Sequence, residues 1–181
     1  MPWGWSRFAV LNGSNSATYN NLWDKFHRKF HGTRAESVGA ILASGVLAKP
    51  GQCIVGLDGK EFRLPIADGH FTDGMGRTNK HTGKREDFDV NQVFFSPTIR
   101  YAAKDPYADP KRWTDPQDGK AYDAQVVLSL LVQPGSYSVG QTTAGRTGDP
   151  VVADNDVECY VKESPILGTL ITGVLVRLKE A

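Results

Sequence analysis

The chain has 181 residues, of which 40% are hydrophobic and 23% are charged, a balance typical of one folded globular domain. Its 21 Lys and Arg residues against 20 Asp and Glu give a net charge of +1, so no overall field attracts nucleic acid or an anionic membrane. The longest apolar stretches, such as 126–132, are as long as a strand. A membrane span needs roughly 18–20 apolar residues, so we expect no membrane partner.

The cysteines and the first residues bear on the compartment. Cys53 and Cys159 form no CxxC pattern, and two thiols in a chain of this length do not suggest a disulfide framework. The first fifteen residues lack a charged segment followed by an apolar one, which a secretory signal would show. We therefore expect an intracellular, reduced protein, in the cytoplasm first, with the mitochondrion and the nucleus as alternatives.

The first third of the chain predicts two helices and a strand. One apolar stripe has the i, i+3, i+4, i+7 spacing of an amphipathic helix: Tyr19, Leu22, Trp23 and Phe26. Residues 29–33 predict a strand and a turn. A second helix is predicted over 35–44, and Gly45 is a suitable residue to end it because glycine tolerates a left-handed backbone.

Residues 48–89 are rich in Gly, Asp and Lys, with apolar residues only in scattered pairs. Two short strands are predicted there, over 53–57 and 62–65. A long loop is predicted over 68–89, and loops of that length in a compact domain are often functional lids. The basic residues of this loop form either a solvated surface or a cover for an anionic ligand; they are Arg77, Lys80, Lys84 and Arg85.

The second half of the chain is dominated by strands. Residues 93–96 predict a strand, 97–104 a helix and 107–122 a loop. The nearly continuous apolar run 124–132 is typical of a central strand that is covered on both faces. Further strands are predicted over 136–139, 157–161 and 170–178. Helices early and strands late favour an α+β fold with a mixed, mainly antiparallel sheet and a few helices.

Several kinds of site are absent from the pattern. The histidines and cysteines share no metal-ligand spacing such as HExxH or CxxC, so we expect no metal. The glycine-rich stretch 69–83 contains neither GxxxxGK[ST] nor GxGxxG after a strand. No GxSxG motif is present to support acyl transfer.

Two local patterns could carry chemistry. His31 ends a predicted strand and precedes Gly32, so it offers a ring nitrogen beside a backbone that a ligand can approach closely. The alternative is a histidine that caps a turn. Asp156 and Glu158 are two residues apart at the start of a predicted strand, which places both carboxylates on one face. They are either buried and functional or part of a solvated edge.

Three sequence blocks together resemble the ADP-ribosyltransferases of the diphtheria-toxin and poly(ADP-ribose) polymerase class. The first is HGTR at 31–34, followed by a helix with ILxxG; the second is VFFSPTIRYA at 93–102; the third is NDVECY at 155–160. They occur in the order of that family, with His31, Phe94 and Glu158 separated by 63 and 64 residues. The segments FHGT, FFSP, VQPGSYSV and NDxExY are similar to the divergent domain at the end of neuralized-like proteins.

The resemblance implies an enzyme that binds NAD, expels nicotinamide and transfers ADP-ribose. His31 would bond the ribose next to nicotinamide, and Gly32 would offer its backbone N–H and C=O to the carboxamide. Thr33 and Arg34 would lie along the remaining ribose and the phosphates. This assignment places the first sequence block along the dinucleotide.

The other two blocks would supply the ring contacts and the acid. Tyr101 and Phe94 would sandwich the nicotinamide ring, and Ser96 or Thr98 would reach its amide. Glu158 would bond the ribose 2′-hydroxyl and stabilise the positive charge of an oxocarbenium-like transition state.

Two departures from the family pattern concern the catalytic residues. Phe94 stands where the family has a tyrosine, so the stacking surface is kept and a hydroxyl is lost. Aligning Asn155-Asp156 with the Asn-Glu of the family would make Asp156 the catalytic carboxylate, one methylene shorter. We prefer Glu158 because a glutamate has the usual reach.

The sequence therefore predicts an N-terminal extension over 1–18 and an ADP-ribosyltransferase catalytic domain over 19–181. The expected activity is mono-ADP-ribosylation of a protein or nucleic acid acceptor with NAD as substrate, accompanied or replaced by NAD hydrolysis. One alternative is a catalytically inactive module of the same fold that binds NAD, ADP-ribose or a protein. Another is an RNA 2′-phosphotransferase, for which Arg34, Arg77 and Arg100 are the basic candidates.

Overall fold

The structure is a computed structural model, and its description is limited to part of the chain. The described residues are 4–49, 51–55, 59–63, 77–78, 85–86, 92–105, 107–140, 149–162 and 168–181. Within them the helices are α1 (Leu11–Tyr19), α2 (Leu22–Lys25), α3 (Ala35–Ser44) and α4 (Ile99–Ala102). The strands are β1 (Ser6–Ala9), β2 (His27–Thr33), β3 (Cys53–Val55), β4 (Glu61–Arg63), β5 (Arg77–Thr78), β6 (Arg85–Glu86), β7 (Val93–Phe95), β8 (Lys111–Thr114), β9 (Ala121–Val132), β10 (Ser138–Gly140), β11 (Glu158–Val161) and β12 (Thr169–Glu180).

The main sheet has the strand order β1-β12-β9-β2, with β8 paired to the first residues of β9. All of these pairings are antiparallel. The centre of the sheet is β9, which is buried from Gln125 to Val132, as its apolar run predicts. The predicted α+β class with mainly antiparallel sheets and few helices is confirmed.

A second, smaller sheet has the order β10-β11-β7. It joins the main sheet through a bridge between Phe30 of β2 and Ser96, the residue after β7. One hydrophobic core lies between the two sheets and α3. It contains Leu128 and Leu130 from β9, Phe95 from β7 and Cys159 from β11. The bridge to Phe30 and the pairing of β7 with β11 therefore place β2, β7 and β11 beside one another.

A second core lies on the other face of the main sheet, where β9 contributes Val127 and β12 contributes Leu175. Ile99 and Ala102 of α4 pack into it, and Trp5 covers it from the N-terminal segment. α4 is thereby held against β2 and β9, close to the bridge between the two sheets.

The predicted helix around residues 19–26 is wrong, and the predicted start of the folded domain at residue 19 is too late. Asn21 has a left-handed backbone with φ 53°, which separates α1 from the single turn of α2, and Tyr19 is exposed. β1 is an edge strand of the main sheet, and α1 packs against β12. Residues 6–18, predicted as part of an extension, therefore contribute to the packed domain.

The other predicted elements agree with the structure to different degrees. α3 has the predicted bounds and ends at Gly45, whose φ of 71° confirms the left-handed end. The predicted helix over 97–104 is confined to the four residues of α4, and the predicted loop 107–122 contains β8. Most of the predicted loop 68–89 lies outside the described residues; of this segment the structure describes the paired strands β5 and β6. Among the described helices, none is long and apolar enough to cross a membrane.

Two helical glycines test whether α1 belongs to the domain. A Cβ on Gly13 would lie 1.7 Å from the carbonyl oxygen of Ile171 in β12, whereas a Cβ on the exposed Gly39 of α3 would meet nothing within 4 Å. We expect Gly13→Ala to destabilise the protein by about 1–3 kcal/mol in urea unfolding, since the backbone of β12 must shift. Gly39→Ala, the control, should stabilise it by about 0.5–1 kcal/mol because alanine loses less backbone entropy in a helix. Unchanged stability of Gly13→Ala would contradict the packing of α1 on β12.

Candidate functional site

The backbone of Gly32 faces the second sheet rather than β9. The Phe30 N–H donates to Ser96 O (2.7 Å), and the Ser96 N–H donates to Phe30 O (2.8 Å), so both polar groups of Phe30 point away from β9. Backbone groups two residues apart on a strand point to the same side. The N–H and C=O of Gly32 therefore point to this side as well, level with Phe94 of β7, because the bridge between Phe30 and Ser96 is antiparallel.

The side-chain position of Gly32 is filled by protein. A Cβ there would lie 2.0 Å from the Ala102 carbonyl oxygen and 2.8 Å from Tyr107 Cβ. We expected glycine at this position to let a ligand approach the main chain. The structure adds a second reason for glycine here, the close packing of β2 against α4 and the segment that follows it.

His31 is tied to the second block through the main chain. Its Nδ1 lies 2.6 Å from the carbonyl oxygen of Phe94. A carbonyl oxygen can only accept, so Nδ1 carries the proton, and Nε2 of the neutral ring is an acceptor. The phenyl ring of Phe94 takes no part in this contact. The bond fixes the ring of His31 against β7.

Glu158 is the first residue of β11 and is only 2% exposed. Its Oε2 accepts hydrogen bonds from two phenols, Tyr101 Oη at 2.5 Å and Tyr107 Oη at 2.8 Å. A buried carboxylate is costly unless hydrogen bonds replace its hydration, and hydroxyl donors fill that role here. Tyr101 comes from α4 and is 2% exposed, whereas Tyr107 is half-buried.

The Tyr107 phenol remains a donor over the whole ordinary pH range. Burial raises the pKa of Tyr107 far above its usual value, and the neighbouring Glu158 and Tyr101 raise it further. The rings of Tyr101 and Tyr107 lie 5.5 Å apart between centroids, and Phe94 lies 6.5 Å from Tyr107. Aromatic rings and one carboxylate thus form a compact cluster.

A small hollow lies in the middle of this cluster. It is lined by Phe30, Gly32, Phe94, Phe95, Ser96, Tyr101, Ala102 and Tyr107. The free space inside it is about that of one water molecule, because the aromatic rings fill most of the volume. A ligand with its own ring can enter only if one of these side chains moves.

The structure separates the two candidate acids. We predicted that Asp156 and Glu158 project from one face of a strand, but the strand begins at Glu158 and Asp156 lies in the preceding turn, where it is exposed. The shared-face prediction is therefore wrong. Of the two carboxylates, Glu158 is the one that reaches the aromatic cluster.

The remaining predicted site residues lie around the hollow in different roles. Ser96 lines it and is 1% exposed. Thr98 begins α4 by accepting from the Arg100 N–H, and its hydroxyl donates to Asp149 Oδ2 at 2.8 Å. Thr33 is buried on β2, and Arg34 lies 3.9 Å from the carboxylate of Asp109. Thr33, Arg34 and Thr98 do not line the hollow.

Tyr107 is the site residue that the sequence reasoning missed. The sequence places it at the start of a predicted loop and gives it no role, although it lines the hollow and bonds Glu158. Tyr107 follows Tyr101 by six residues, in a segment rich in Pro and Asp. That spacing is not a helical repeat, so no local pattern predicts that the two tyrosines share a contact.

No family model matches the chain. Among the described residues, no group of three or more His, Cys, Asp or Glu side chains is arranged to hold a metal ion. The groups that the described site offers are a carboxylate, an imidazole, two phenols and the backbone edge of Gly32.

Tyr101→Phe tests the hydrogen bonds to the buried carboxylate. We expect a loss of about 1.5–3 kcal/mol in the free energy of unfolding, because a buried acid loses a charge-assisted donor. Tyr137→Phe is the matched control: its hydroxyl makes a 2.7 Å hydrogen bond to the exposed His27 ring, and we expect a change within about 0.5 kcal/mol. Equal effects of the two variants in urea unfolding would contradict the structural importance of the bond from Tyr101 to Glu158.

Proposed function

We propose that the protein is an NAD-dependent mono-ADP-ribosyltransferase, in which Glu158 is the catalytic acid residue and the hollow receives the nicotinamide ring. The observation that carries this proposal is the meeting of three distant segments. His31 and Gly32 belong to β2. Phe94 belongs to β7, Tyr101 to α4, and Glu158 to β11. Direct contacts connect these segments.

The reaction makes a specific electrostatic demand. The bond between the ribose C1′ and the nicotinamide nitrogen breaks, the electron pair leaves with nicotinamide, and positive charge develops on the ribose. A nucleophile of the acceptor then forms a bond to C1′ and loses its proton; water in its place gives hydrolysis. A fixed carboxylate in a water-poor site stabilises such a charge strongly. Glu158 meets this demand because the buried hydroxyl of Tyr101 orients it.

The other groups would bind and orient the substrate. The outward N–H and C=O of Gly32 match the C=O and NH₂ of a carboxamide, which needs one donor and one acceptor on the same edge. Phe94 and Tyr101 provide aromatic walls for a flat ring. His31 can accept a hydroxyl proton at Nε2 while the Phe94 carbonyl holds its other nitrogen.

The proposed product is a single ADP-ribose unit on the acceptor. The sequence offers no identifiable element for chain elongation, and Phe94 departs from the polymerase pattern. The proposed acceptor is a protein, with nucleic acid as the second class to test.

The decisive experiment compares the two neighbouring acids. Glu158→Gln keeps the size of the side chain and removes its charge, so we expect nicotinamide release from NAD to fall about 10²–10³-fold. Asp156→Asn should keep nearly all of the activity, because Asp156 is exposed in the turn before β11. Nicotinamide is measured by chromatography, and mass spectrometry detects ADP-ribose on this chain or on an added acceptor. His31→Ala should also reduce turnover.

Unchanged turnover in both Glu158→Gln and His31→Ala would refute the proposal. A second candidate is an inactive module that binds NAD, and the observation that favours it is the phenyl ring at position 94 in place of a phenol. Calorimetric binding of NAD by the wild-type chain, with no nicotinamide released in the presence of several acceptors, would support that candidate.

A further inference from the structure

The strongest feature left unassigned is the side chain of Tyr107. Its hydroxyl donates to Oε2 of Glu158, and its ring lines the hollow next to the rings of Phe94 and Tyr101. Both positions are those that a ring-bearing nucleoside would need if the proposed function is correct. The hollow itself leaves room for about one water molecule, so such a ligand must displace a side chain.

Tyr107 is the aromatic residue best placed to move. Tyr101 is 2% exposed and belongs to α4, whereas Tyr107 is half-buried and follows the helix. Backbone groups before and after Tyr107 are hydrogen-bonded. The Tyr107 N–H donates to Lys104 O (2.7 Å), and the buried amide of Gln125 donates to the carbonyl oxygens of Ala103 and Ala108. These bonds favour movement of the Tyr107 side chain over movement of the main chain.

We propose that Tyr107 determines the affinity for NAD by exchange: its phenol and ring occupy the free site, and the nicotinamide ring and a ribose hydroxyl replace them on binding. The number of hydrogen bonds to Glu158 stays the same, because a ribose hydroxyl donates where the Tyr107 hydroxyl donated. Tyr101 stays bonded to Glu158 throughout and keeps the carboxylate oriented. This inference rests on the proposed function and adds the residue that NAD must displace.

If this exchange occurs, loss of the Tyr107 hydroxyl strengthens NAD binding, whereas loss of a group that binds NAD weakens it. Removal of the Tyr107 hydroxyl takes away a hydrogen bond that the ligand would otherwise have to break. The raised pKa of Tyr107 is consistent with a hydroxyl that remains a donor near neutral pH, so the competition persists over the working range. We therefore expect Tyr107→Phe to bind NAD more tightly than the wild-type chain.

The test uses calorimetry on the full chain with carba-NAD, in which a methylene replaces the ring oxygen of the nicotinamide-bearing ribose, so that no cleavage occurs. We expect the Kd of Tyr107→Phe to be about 2- to 10-fold lower than that of the wild type, the range expected for one net hydrogen bond. ADP lacks both the ring and that ribose, so its binding should not change. Tyr107→Leu, which removes the ring as well, should also bind carba-NAD more tightly and serves if the phenylalanine variant folds poorly.

Two tyrosine variants complete the design. Tyr137→Phe removes a hydroxyl that bonds His27, outside the hollow, and should leave the Kd for carba-NAD unchanged. Tyr101→Phe should not tighten binding, since Tyr101 keeps its bond when the ligand is present. Equal or weaker binding of carba-NAD by Tyr107→Phe and Tyr107→Leu overturns the exchange and leaves the proposed function standing. Absence of measurable binding to the wild-type chain, with no NAD turnover, overturns both.

Discussion

The arrangement of the site depends on how a buried carboxylate is compensated. Glu158 gives up its hydration at the first position of β11, and the phenols of Tyr101 and Tyr107 replace it. Removal of either hydroxyl takes away part of the compensation for a buried charge, which is costly in a low-dielectric environment. These two bonds therefore connect β11 to α4 and to the segment after it, and they fix the direction of the carboxylate. A carboxylate held in this way needs little reorganisation when charge develops beside it, which is the property that electrostatic catalysis uses.

The two sheets determine where that carboxylate lies relative to β2. Cys159 pairs with Phe95 in the small sheet, so Glu158 lies beside the end of β7. The bridge from Ser96 to Phe30 connects β7 to the main sheet, and the next residue of the same direction on β2 is Gly32. Strands β2 and β11, which are more than 120 positions apart in the sequence, are thus connected through β7 and the residue after it. Gly32 permits the close packing of β2 against α4, because any side chain there would collide with the carbonyl of Ala102.

The sequence predicts the elements that bury apolar side chains better than the elements that are held by backbone hydrogen bonds. β9 is buried over its last eight residues, and α3 places Ile41 in the core with Leu42 packed against it. Their apolar patterns are therefore strong, and the sequence predicts both with nearly the observed bounds. β1 and β8 are exposed edge strands that are held by backbone hydrogen bonds, so their sequences carry little hydrophobic signal. The alternation of side chains along a strand predicts that Asp156 and Glu158 share a face. This prediction fails because the strand starts at Glu158 and Asp156 lies in the turn before it. The contact of Tyr107 with Glu158 spans 51 residues and depends on the end of α4, which no local pattern describes.

The phenylalanine at position 94 is better understood from these contacts than from the motif. In the family pattern a tyrosine stands there, and its loss would remove a hydroxyl from the site. In this chain the carbonyl of Phe94 holds His31, a role that is independent of the side chain. The hydroxyls that reach the carboxylate come from Tyr101 and Tyr107. Phe94 therefore provides an apolar wall of the hollow, while other residues supply the polar groups that reach the carboxylate.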